Sequence, residues 1–247
     1  MKVVADLHLH SKYSRAVSKQ MELPIMVEWA RKKGIDLVAT GDWTHPLWLK
    51  ELESQLEENG KGVYRLKGSL GSRTKFDPVF QSQAKKSDLS MNSSAPAVNR
   101  KTLSNLSSSP ANLKPPREPH FVLSTEISSI YSQGGKGRRI HNLVIAPSFK
   151  TVHKINEELK RRGCKLMSDG RPIIGLSSIQ LAELVWSIDK NCLIIPAHIY
   201  TPWFSMFGSK SGFDSIEECW GEFADRIYAI ETGLSSSPDM NWRIKEL

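Results

Sequence analysis

The sequence predicts an α/β fold built on a parallel sheet or barrel, and three observations carry that expectation. Short apolar runs recur along the chain, amphipathic stretches of helical period separate them, and histidines and acids gather where the runs end. Strands are expected over residues 3–7, 36–40, 121–125, 141–146, 192–197 and 227–230. Helices are expected over 23–33, 47–58, 151–162, 178–188 and 215–223. Gly34, Gly60 and Gly163 follow three of these helices, where a left-handed cap would sit.

The length of 247 residues suits one catalytic domain of barrel size. The N-terminus runs straight from Met1 into an apolar stretch ending in histidines, without the basic start of a secretion signal. No stretch approaches the roughly 20 apolar residues of a membrane helix, so a cytoplasmic protein with no membrane partner is expected. Cys164, Cys192 and Cys219 are widely spaced and form no CxxC pair, which points to reduced structural thiols.

The formal charge is +8, of which +6 falls within residues 67–118. This stretch, rich in Ser, Asn, Pro and Lys and lacking either structural period, is expected to be a disordered insertion over residues 67–119. Most of the basic excess is therefore expected on a solvated tether, with capture of polyanions as the alternative reading.

In a β/α barrel, chemistry collects at the C-terminal ends of strands. The first strand ends in Asp6-Leu7-His8-Leu9-His10, whose period of two places Asp6, His8 and His10 on one face. The second ends in Gly41-Asp42-Trp43-Thr44-His45, the third in Thr125-Glu126 and the fifth in Ala197-His198, while His141 opens or precedes the fourth. One histidine at a strand end is more often a hydrogen-bonded structural residue. Five such positions on different strands point instead to a multinuclear metal site, with Glu126 as the natural bridging carboxylate. His120, beside the insertion, and His153, on a Lys/Glu-rich helix, fall outside the pattern.

The segments DLHLHS, GDWTH, TEIS and PAH resemble the successive motifs of the PHP (polymerase and histidinol phosphatase) superfamily. The longer stretches GDWTHPLWL, TEISSIYSQGGKGRRIHNLVIAPS, PAHIYTPWFSMFGSKSGFDSIEEC and ETGLSSSPDMNWR are most similar to the PHP domain of the endonuclease Q family. The resemblance implies a distorted (β/α)7 barrel spanning residues 1–247 and interrupted by the insertion. It also implies two or three divalent ions, zinc or else manganese or magnesium. His8 and His10 would hold one ion, and Glu126 would bridge to a second held by His141 and His198, with Asp42 and His45 serving a third position. Family members carry a further S-D-x-H motif, absent from these 247 residues, so the resemblance implies a barrel incomplete at its C-terminus.

The activity so implied is metal-dependent phosphodiester hydrolysis in DNA repair, with incision beside uracil, hypoxanthine, xanthine or an abasic site. Glu126, Asp42 and Glu231 are the catalytic candidates, Glu231 in a supporting role near the mouth. Arg15, Lys136, Arg138, Arg139 and Lys210 are candidates for the phosphodiester backbone. Trp203, in the loop after His198, is the first candidate for stacking on a base. A small-molecule phosphatase of the histidinol-phosphate kind, or a DNA-binding fragment without catalysis, is the rival reading.

Overall fold

Local sequence signals set the helices. In a computed structural model that describes residues 2–68, 118–233 and Asn241, α1 spans Leu23–Lys33 and starts with a proline in its first turn. It ends at Gly34, which at φ 70° donates back to the Ala30 and Arg31 carbonyls. Leu23, Met26, Val27 and Ala30 form its buried stripe. Helix α3 (Phe149–Arg161) begins where the Ser148 hydroxyl accepts from Thr151 N, and α4 (Ser178–Ile188) begins with a reciprocal capping box between Ser177 and Gln180. Helix α2 covers Pro46–Gln55 and α5 covers Ile216–Trp220, the latter running into a 3-10 turn over Gly221–Arg226. No helix among the described residues is long and apolar enough to cross a membrane.

Eight strands join in one mixed sheet: β1 (Ala5–Asp6), β2 (Leu37–Ala39), β3 (Leu56–Glu58), β4 (Tyr64–Leu66), β5 (His120–Gln133), β6 (Lys136–Ala146), β7 (Ile173–Ile174) and β8 (Leu193–Pro196). Strand β5 is the hub, parallel to β2 and β7 and antiparallel to β4 and β6. The expected third and fourth strands are thus the two arms of one long hairpin. Gly134 (φ 61°) and Gly135 (φ 73°) turn it, as a two-residue connection with positive φ at both positions does. The ladders leave the sheet open, with β1 paired to β2 and β8 paired to β6.

The described residues form an open mixed sheet, and two expectations change here. The helix expected to reach residue 58 stops at Gln55, because Leu56 turns inward (3% exposed) to pair with Leu66 in the β3–β4 hairpin. Residues 227–230 form no strand, yet Glu231 bonds the edge of β8 through Pro196 O (3.0 Å) and Ile199 N (2.9 Å). The expected insertion, residues 67–119, lies outside the described residues except at its ends.

The pleat separates two apolar clusters. The larger, including Phe121, Leu123, Ile127, Ile140 and Val144, packs against the helices. The smaller, Leu143, Ile195 and Ala197 with Ile145 against it, lies on the opposite face of β6 and β8. Glu126 stands directly opposite Leu143 in the β5–β6 register and so belongs to this second face. All three cysteines are free, and burial pushes the Cys192 and Cys219 thiols up to about 12.

Candidate metal centre

Glu126 is 1% exposed, and four imidazoles converge on its carboxylate. Oε1 lies 2.9 Å from His141 Nδ1, 3.2 Å from His198 Nε2 and 3.4 Å from His8 Nε2, and Oε2 lies 3.5 Å from His10 Nε2. Two triads each bring three ligand atoms within 4.8 Å of one another: His8, His10 and Glu126 on one side, Glu126, His141 and His198 on the other. Glu126 is common to both, as a carboxylate bridging two ions would be. Only Asp6 of the first motif lies within β1, so His8 and His10 are carried by the segment that follows the strand.

Outer contacts hold the rings in place. His8 Nδ1 lies 2.9 Å from Glu231 Oε2, which also accepts from the backbone N–H of His198 at 2.7 Å. His10 Nδ1 lies 3.0 Å from Asp42 Oδ1, and His198 Nδ1 lies 3.1 Å from the Thr201 hydroxyl. Such carboxylate partners fix which ring nitrogen faces an ion. Asp42 is itself fully engaged, its Oδ2 accepting from Ser11 N (2.6 Å), Ser11 Oγ (2.7 Å) and Ser14 Oγ (2.9 Å). It sits at φ 50° after Gly41, where an added Cβ would meet Leu9 O at 2.4 Å, so the backbone there is crowded and only glycine fits.

The donor set suits a divalent cation. Burial would raise the Glu126 carboxyl, but hydrogen bonds from His141, His198 and His8 override it and hold the group ionised, far below the usual range. Burial likewise opposes the charged form of His8, yet Glu126 and Glu231 lift its pKa to about 10. The site is therefore built to keep positive charge beside these two carboxylates. Glu126 Oε2 is buried without a hydrogen-bond partner, a costly arrangement that a metal ion would satisfy. Imidazole and carboxylate donors together suit zinc or manganese.

The remaining candidates scatter. His45 is 4% exposed, caps α2 with its backbone and stacks on Tyr13 at 4.4 Å, so neither it nor the occupied Asp42 joins the two triads. Burial lowers the His45 pKa and keeps the ring neutral. Arg138 packs over Phe213 at 4.0 Å and donates to the Gly212 carbonyl, on the same side of β6 as Ile140. Lys136 shares that parity and is exposed. Arg139 shares the parity of His141 and lies 5.0 Å above the ring of Trp203, itself 47% exposed. The neighbouring Phe204 packs at a tilt against His141, with ring centroids 4.7 Å apart. Lys210 is exposed, its backbone N–H bonded to Pro202 O at 3.0 Å. Arg15 is 84% exposed and reaches Asp169 at 3.5 Å. Trp43 and Trp48 are wholly buried and serve the core.

Sequence reasoning missed Arg171. Its guanidinium comes within 4.0 Å of Glu126 Oε2 from a loop with no strand or helix period. The only sequence signal was the dense turn chemistry of Asp169-Gly170-Arg171-Pro172.

No family model matches the chain. Across 98% of its length it superposes on a crystal structure of the lesion-specific endonuclease PfuEndoQ from Pyrococcus furiosus, with a TM-score of 0.67 and 29% identity. It superposes equally on endonuclease Q in complex with a 27-mer duplex carrying an abasic lesion at the active site, with a TM-score of 0.68 and 30% identity. In both cases it covers 45% of the solved chain. Among curated proteins, the uncharacterized YqxK of Bacillus subtilis is 27% identical over all of this chain and 52% of its own. The uncharacterized MJ0043 of Methanocaldococcus jannaschii is 23% identical over 80% of this chain and 16% of its own. The chain thus spans about half the length of the endonuclease Q chains and of YqxK. A mixed α/β sheet carrying a histidine and glutamate cluster, aligned over nearly its whole length with these structures, gives the chain an endonuclease Q-like fold.

Proposed function

We propose that the chain is the metal-dependent phosphodiesterase domain of an endonuclease Q-like DNA-repair enzyme, incising DNA beside a deaminated base or an abasic site. The observation that carries this reading is Glu126, buried between two histidine pairs with one oxygen unpartnered. The endonuclease Q complex with an abasic duplex supports DNA as the partner. We take residues 1–247 as one PHP-type domain interrupted by residues 67–119, working in the cytoplasm.

His8 and His10 would hold one ion, His141 and His198 a second, and Glu126 would bridge them. Bound ions supply a water acidic enough to attack phosphorus near neutral pH and charge to stabilise the developing oxyanion. The protein supplies the rest. Glu231 orients His8 and Asp42 orients His10, so each ring presents Nε2 inward. The Leu143, Ile195 and Ala197 floor keeps bulk water from beneath the site. Arg139 and Trp203 stand at its rim, one suited to a phosphate and the other to a base face.

The test is incubation of the purified chain with end-labelled duplexes carrying uracil, hypoxanthine or an abasic site, with manganese and with chelator. Metal-dependent cuts confined to the lesion strands are expected. Release of phosphate from monoesters without DNA cleavage would favour the phosphatase reading instead.

A further inference from the structure

Arg171 is held as few surface arginines are. On one side Gly170 is wedged into the site wall: its N–H donates to Tyr13 O at 3.2 Å and its carbonyl accepts from the Thr44 hydroxyl at 3.2 Å. A Cβ on Gly170 would lie 2.3 Å from Asp42 Oδ2 and 2.4 Å from Ser14 Oγ. On the other side the Pro172 carbonyl accepts from Ser128 N at 3.0 Å, continuing the β5 ladder. The backbone between these anchors has little freedom. The side chain is tethered too, with Nε 3.9 Å from Asp169 Oδ1 and one terminal nitrogen donating to the Arg15 carbonyl at 3.3 Å. The other terminal nitrogen faces Glu126 Oε2 at 4.0 Å, and the residue remains 31% exposed.

A guanidinium beside a single carboxylate needs no explanation. With divalent ions held by the two triads, it would be a cation next to cations, an arrangement that is repulsive unless an anion lies between them. The planar fork of arginine matches a phosphate oxygen pair. Arg139 reaches the rim from β6 and Arg171 from the segment before β7, the two opposite neighbours of β5 in this part of the sheet.

We propose that Arg171 binds the scissile phosphodiester through a non-bridging oxygen, with Asp169 and the Gly170 wedge holding the guanidinium in place. This rests on the metal-hydrolase reading above. The experiment compares the wild-type chain with Arg171→Ala and Arg171→Lys by calorimetric titration with inorganic phosphate, with and without manganese, alongside metal content and abasic-duplex cleavage. Arg171→Ala is expected to weaken phosphate binding about tenfold and to slow cleavage roughly a hundredfold at unchanged metal content, with Arg171→Lys recovering part of the phosphate affinity. Unchanged phosphate affinity, or a loss of metal equal in both variants, would overturn the proposal, because Arg171 would then serve only Glu126. A wild-type chain that cuts no duplex sinks the endonuclease reading, and the phosphate titration alone then decides the role of Arg171.

Discussion

His8 and Glu231 stand 223 positions apart in sequence, and their side chains meet at 2.9 Å across the opening between β1 and β8. The same carboxylate accepts from the backbone of His198, so one residue ties the histidine that follows β1 to the histidine that follows β8. Burial raises Glu231, and its contact with His8 more than reverses that, keeping it ionised. Glu231→Ala is expected to weaken metal binding by about 10- to 100-fold, with Glu231→Gln retaining part of the affinity. Competition with a fluorescent chelator measures this, and equal affinity in all three proteins would remove Glu231 from the site.

Asp42 does for His10 what Glu231 does for His8, from a position with no exposure at all. Gly170→Ala presses a methyl group onto its carboxylate, so the variant should lose about 1–3 kcal/mol of stability, in the range of overpacked cores. Metal affinity should fall with it. Urea denaturation together with the chelator assay checks both, and a stable variant with weakened metal binding would mean that the loop yields while Asp42 shifts.

Trp203 is nearly half exposed beneath Arg139 and contributes little to the core. Trp203→Ala should leave the melting temperature and metal content unchanged. Duplex affinity should drop by about 1–3 kcal/mol, the usual contribution of an aromatic that stacks on a base. Fluorescence anisotropy with lesion and undamaged duplexes reads the difference.

Cys192 and Cys219 keep their protons to about pH 12 in the fold, against an ordinary value of 9.0. In an acid whose pKa is raised by folding, the folded chain binds more protons than the unfolded one once pH passes the lower value. Stability should therefore fall as pH climbs from about 9 toward 12. At pH 8 neither thiol should react with iodoacetamide until urea unfolds the chain. Rapid native labelling at either position, located by mass spectrometry, would contradict the burial described here.

Much of the site was legible because its chemistry sits in rare residue types at the ends of apolar runs. His8, His10, Glu126, His141 and His198 were picked out by that pattern, and the structure gathers all five. Helical spacing of apolar residues also gave α1 and α4 their full extents, with Gly34 marking the end of α1. What escaped depends on contacts distant in sequence. The antiparallel pairing of β5 with β6 is invisible to a β-α repeat. The β3–β4 hairpin hides in the tail of a helical period. Arg171 is placed by Gly170 and Pro172, whose partners Tyr13, Thr44 and Ser128 lie far away in the chain.

The Gly134-Gly135 turn has a consequence for how this sequence can change. Glu126 and His141 belong to the two arms of one hairpin, and their facing side depends on the parity of the residues between them. A slip of one residue in this pairing would send one of the two to the helix-packed side as effectively as mutating it. Lineages carrying this centre should therefore keep the pairing in register, and keep glycine, asparagine or aspartate at a tip whose two φ angles are positive.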